Sequence, residues 1–140
     1  MILLVIHTAI TWALVGLIWT VQGALYPLFQ NVGDREFVAY HGRHMAMITW
    51  VVGPLMLLEA GSAGLLFYFG ERSLIFGVSV GALGLVWAST ALSQIPLHQK
   101  LTHGYHRATI DRLIRTNWWR TLAWTVRGLC LVALLIQKFC

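Results

Sequence analysis

Leu74–Leu97 reads LIFGVSVGALGLVWASTALSQIPL, without one charged residue. A helix rises about 1.5 Å per residue and needs roughly 20 apolar residues to cross about 30 Å of hydrocarbon. This stretch is long enough. A soluble helix of that length carries a polar outer stripe, and this one has none. The pattern repeats on both sides: Ile2–Tyr26 holds no charge, Met45–Gly70 holds only Glu59, and Trp118–Ile136 holds Arg120 and Arg127. The whole chain is 58% hydrophobic and 11% charged, with a mean hydropathy of +0.70. A soluble domain carries roughly 25% charged residues. The reading is therefore an all-α bundle of four transmembrane helices, over about residues 2–26, 36–69, 73–97 and 117–137. It forms one integral membrane domain over 1–140 with both termini on one side.

The first run lacks a positive n-region and is too long for a signal h-region, so it is expected to stay as a helix. Basic residues set the orientation. Pro27–His44 carries Arg35 and Arg43, and Gln94–Asn117 carries Lys100, Arg107, Arg112 and Arg115, whereas the other face has Arg72 and Lys138. The excess of Lys and Arg on cytoplasmic loops predicts that these two connections lie inside a bacterial plasma membrane and the termini outside. Anionic headgroups account for the net charge of +5 without nucleic acid. Cys130 and Cys140 lie about 15 Å apart along one helix and are not expected to bridge.

Without water to drive association, membrane helices pack through small residues. Gly77, Gly81 and Gly84, then Gly16 and Gly23, then Gly61, Ser62 and Gly64 are the expected packing ridges, and Pro54 is expected to kink helix two. Polar residues fall on stripes that should face the bundle interior. These are His41, His44, Ile48, Leu55 and Glu59 on helix two, with Trp87, Ala91, Gln94 and His98 on helix three. Helix four contributes Asn117, Arg120, Trp124 and Arg127. Helix one offers Thr11, Ile18 and Gln22, with Trp12, Trp19 and Tyr26 on a neighbouring face.

Two depths separate. Glu59 lies about 22 Å beyond His44 along its helix, near the depths of Arg127 and His7. A Glu59–Arg127 ion pair is expected there, either as a register-fixing pair or as a proton or anion site. At the basic end, five of the six histidines gather: His41, His44, His98, His103 and His106. His41 and His44 stand three apart and can share a face, with His98 approaching from helix three and Gln94 one turn deeper. Three readings of this cluster stand: a transition-metal or haem site on His41, His44 and His98 with Gln94 as a further cofactor contact, a metal-free substrate pocket, or interfacial histidines.

Gln94-Ile95-Pro96-Leu97-His98-Gln99-Lys100-Leu101, followed by Asn117-Trp118-Trp119-Arg120-Thr121, resembles the anthrone-oxygenase-like family of small four-helix membrane proteins. Gln94 and His98 stand where that pattern has asparagine. The resemblance implies the four-helix fold and oxygenation of polycyclic aromatic substrates without a known organic cofactor. It places Gln94, His98, Asn117 and Arg120 at one mouth, Pro96 closing helix three. Trp87, Trp118, Trp119 and Trp124 supply either flat walls or an interfacial belt. Such a pocket suits a quinone- or polyketide-like molecule. The leading expectation is a membrane oxidoreductase or oxygenase with His44, His98, Asn117 and Arg120 as catalytic candidates. The alternatives are a metal- or haem-binding protein for electron transfer or delivery, and a non-catalytic subunit of a homo-oligomer or larger membrane complex.

Overall fold

The computed structural model describes residues 1–139, and these hold helices and turns with no strand. Four helices are long and apolar enough to cross a bilayer: α1 (Ile2–Asn31), α2 (Asp34–Tyr68), α3 (Leu74–Leu101) and α4 (Arg107–Phe139). The protein is a four-helix integral membrane bundle.

The connections are shorter than the charge pattern suggests. Only Val32 and Gly33 separate α1 from α2, and α4 starts at Arg107 rather than near residue 117. Charge marks where the hydrocarbon ends, and a helix built of good formers continues past that point into the headgroup layer. Arg112 and Arg115 therefore ride on α4 and do not belong to a loop. Asp34 and Glu36 open α2, where negative charge suits the helix N-terminus. At the far end of α2, Gly70 adopts a φ of +93°, and the Glu71 amide closes back on the Leu66 carbonyl at 3.0 Å. That left-handed cap ends the helix, and Ser73 then accepts the Phe76 amide to start α3.

Pro96 does not close α3. Instead Thr90–Gln94 forms a π-turn, and α3 resumes through Leu101. Val21–Leu25 forms the same kind of turn in α1, again just before a proline, Pro27. A proline ring collides with the carbonyl four residues back and offers no N–H to it. Widening the turn moves that carbonyl aside, at the cost of one extra residue. Everything after it turns by about 100° relative to a regular helix. Pro54, by contrast, stands inside an uninterrupted α2.

α1 packs against α2 and α4, and α4 packs against α3, while α2 and α3 leave a gap between them. The main core runs along α1 and α4 with Leu14, Ile18, Phe29, Ile110, Leu113 and Trp124, and a smaller cluster of Leu4, Leu66, Phe76, Leu131 and Leu134 closes the terminal end. The expected glycine ridges do not form the joints. Gly16, Gly23, Gly61, Gly64, Gly77, Gly81 and Gly84 have nothing within 4 Å of a side chain they would carry. Gly128 is the transmembrane glycine at a close approach, where a Cβ would lie 3.2 Å from Trp12 and 3.3 Å from Val15. Cys130 is a half-buried free thiol, and the expectation for Cys140 lies outside the described residues.

Candidate functional site

Two polar layers cross the bundle. In the deeper one, Glu59 and Arg127 meet at 2.7 Å with both side chains fully buried. The carboxylate also accepts Thr11 Oγ1 at 2.9 Å and Trp124 Nε1 at 3.1 Å. Arg127 Nη1 donates to the carbonyl and hydroxyl of Ser79, each at 2.9 Å, and Nη2 donates to His7 Nε2 at 2.9 Å. Because His7 Nε2 accepts from a guanidinium, the imidazole must carry its proton on Nδ1, which reaches Ser62 Oγ at 2.6 Å. Ser62 donates its own proton to the Leu58 carbonyl. All four helices contribute, and no side-chain polar atom of this layer is left without a partner. A closed network of this kind fixes helix register and offers a ligand nothing.

The layer at the basic end is different. The α1 π-turn carries Tyr26 into the interior, away from the exposed face of Trp12 and Trp19. Its hydroxyl lies 2.9 Å from His98 Nε2 and 3.3 Å from Gln94 Oε1. Both partners are brought inward by the α3 π-turn. His98 Nδ1 in turn lies 3.0 Å from His41 Nε2. The row Gln94–Tyr26–His98–His41 can be polarised in two directions. In one, Tyr26 donates to His98, which donates to His41. In the other, His41 donates to His98, His98 to Tyr26, and Tyr26 to Gln94. Reversal shifts protons toward or away from His41 Nδ1, a buried atom with no partner.

Beside this row lies Arg120, 6% exposed. Its Nη1 donates to Asn117 Oδ1 at 3.2 Å, its guanidinium sits 5.1 Å over the Trp124 ring, and its Nε has no partner. Asn117 is held in turn by donating to Gln22 Oε1 at 2.9 Å, and Gln22 donates to the Ile114 carbonyl. The α4 segment thus presents a cation through a braced amide.

A cavity of about 440 Å³ opens onto these groups. It occupies the gap between α2 and α3 and is lined mainly by apolar residues, among them Ile48, Val52, Met56 and Trp87, with Tyr26, Gln94, His98 and Arg120 at its polar end. Thr49, Ile95 and Gln99 line it and are also exposed on the outside, so the cavity opens sideways, where lipid would stand. Its size falls within the roughly 300–1,000 Å³ usual for small-molecule sites.

The residues singled out by sequence divide between the two layers and the surface. Gln94, His98 and Arg120 line the cavity, Asn117 braces Arg120, and His41 bonds His98. His44 does not line it. Its ring lies 6.3 Å from that of His98 but faces a separate recess formed with Leu17, Leu25 and Met47. His41, His44 and His98 do not make a shared ligand shell. Both nitrogens of His98 are already bonded, His41 lies against it at hydrogen-bond distance with no room for an ion or haem between, and no metal-type cluster of three acidic, His or Cys side chains exists among the described residues. His103 is exposed, and His106 caps α4 by accepting the Thr109 amide. Trp118 and Trp119 are outward-facing, while Trp124 is fully buried between the two polar layers. Tyr26 is the member that heptad spacing hides: it follows Trp12 and Trp19 by sevens, and only Pro27, four residues after Gly23, signals the turn that redirects it.

Compared with known proteins, the chain matches no family model, no curated protein and no solved structure.

Proposed function

We propose that the protein is a membrane oxidoreductase of the oxygenase type, acting on a flat lipophilic ketone or phenol that reaches the cavity sideways from the bilayer. The observation that carries this reading is the cavity's composition: apolar along its length, and at one end a Tyr26–His98–His41 proton row beside an Arg120 cation. The sequence resemblance to the anthrone-oxygenase-like family supports the same substrate class. On this reading Tyr26, backed by His98, takes a proton from an acidic C–H or O–H of the substrate, and the proton passes toward His41. Arg120 steadies the oxyanion left behind. Dioxygen then oxidises the carbanion. For a methylene between two aromatic rings, one dioxygen yields one carbonyl and one water. The basic end faces the cytoplasm on the distribution of Lys and Arg.

Oxygen uptake and anthraquinone formation from anthrone in proteoliposomes test it. Turnover above protein-free liposomes is expected, with His98→Ala and Tyr26→Phe lowering it by about 10²–10⁴ while the helices stay folded. No protein-dependent turnover, or turnover indifferent to both changes, defeats the reading.

A second reading is a subunit that docks another transmembrane helix, favoured by the open outer face at Gly77, Gly81 and Gly84. Cross-linking in native membranes tests it. A cross-linked partner that disappears in Gly81→Leu supports it, and a monomer throughout removes it.

A further inference from the structure

We infer that the cavity takes an amphiphilic anion, an acidic oxygen on a lipophilic body, with Arg120 as its counter-charge. This rests on the reading of the cavity as a site for a lipophilic molecule and names the ligand's charge. The chain has five acidic side chains, and each is engaged elsewhere. Glu59 is bound to Arg127 and Glu71 to Lys138. Asp111 accepts Gln30 at 2.7 Å, and Asp34 and Glu36 occupy the first turn of α2 at the mouth. None is left for Arg120.

A guanidinium at membrane depth without a counter-ion is costly, and proteins retain one where it serves a ligand or a path. The surroundings of Arg120 fit the first. Asn117 and Trp124 hold it from behind through a neutral amide and an aromatic face, which orient the charge without neutralising it. The unpartnered Nε belongs to a side chain that lines the cavity. The Gln22–Asn117 bond fixes which end of the amide faces the guanidinium, since Asn117 commits its NH₂ to Gln22. Opposite the cation the cavity wall is aliphatic and aromatic, so a headless hydrocarbon would leave the charge bare and a small free anion would leave the wall empty. Both an aromatic phenolate, enolate or carboxylate and a membrane fatty acid offer the shared chemistry.

The test uses the full chain in phosphatidylcholine nanodiscs, with anthraquinone carboxylic acid and cis-parinaric acid as probes, each against its methyl ester. Tryptophan quenching reports binding after subtraction of partition into empty discs. An acid that binds at least tenfold tighter than its ester, with the margin lost in Arg120→Gln and kept in Arg120→Lys, is the expected result. A margin confined to parinaric acid keeps the anchor and identifies its ligand as a lipid acid, against the aromatic substrate. Equal binding of acids and esters overturns the anchor and leaves a neutral lipophilic site standing. No saturable binding of any probe overturns both. Should Arg120→Gln fail to fold, the acid–ester comparison on the unaltered protein still decides.

Discussion

Glu59→Leu removes a carboxylate that holds three donors at once: Arg127 Nε, Thr11 Oγ1 and Trp124 Nε1. The guanidinium stays where it is, because Ser79 and His7 continue to hold it. An uncompensated buried charge of this kind costs about 3–5 kcal/mol. Arg127→Met strands the carboxylate and costs about the same. In the double variant both charges are gone and apolar groups of similar volume fill the layer. What remains are donors and acceptors on His7, Ser79 and Trp124, several of which can turn to backbone carbonyls. The double loss should therefore fall about 3 kcal/mol or more short of the sum of the singles, given that contacting residues couple by up to about that amount. Unfolding in mixed dodecyl maltoside and dodecyl sulfate micelles, followed by tryptophan fluorescence, measures all three. Trp124 lies in the layer and reports it directly. Losses that add to within about 0.5 kcal/mol would refute the reasoning, because that is how independent sites behave.

Gly128→Ala should destabilise by about 1–3 kcal/mol by forcing Trp12 and Val15 away from the α1–α4 joint, whereas Gly81→Ala, with open space around it, should be neutral or stabilising in the same unfolding assay. Pro96→Ala should let α3 regain regular α-helical hydrogen bonding, turning Gln94 and His98 out of line. Anthrone turnover is expected to fall at least tenfold with no loss in unfolding midpoint, and unchanged turnover would separate the π-turn from the site. Reporter fusions at Lys100 and at the C-terminus should report cytoplasm and exterior respectively, and a cytoplasmic C-terminus would reverse the assigned sides.

Charge-free runs such as Leu74–Leu97 suffice to read four spans, because hydrocarbon tolerates so few exceptions. Residue spacing also reads the deep layer, since α2 and the lower part of α4 are regular and a buried Glu needs a partner. The mouth is legible only in part. Gln94, His98, Asn117 and Arg120 gather there, but helical arithmetic fails wherever a proline inserts a π-turn, so spacing puts Tyr26 on the wrong face. A separation of three residues groups His44 with His41. In the structure a small angular difference sends the two rings to opposite sides of Phe29 and Tyr26, one against His98 and the other to a separate recess. The glycines mislead for a different reason. Spacing shows that small residues share a face, and nothing in one chain says whether that face meets its own helices or the lipid.

The lipophilic molecule is assigned to the sideways-open cavity between α2 and α3, and on that placement the rest depends. Photolabelling tests it most directly, with a diazirine-bearing anthrone analogue in proteoliposomes and peptide mapping of the adducts. Saturable labelling between Met45 and Met56 and between Trp87 and Thr102, competed away by excess anthrone, is the predicted result. Labelling spread over outward residues such as Leu57, Leu74 and Phe139, with no competition, would contradict it.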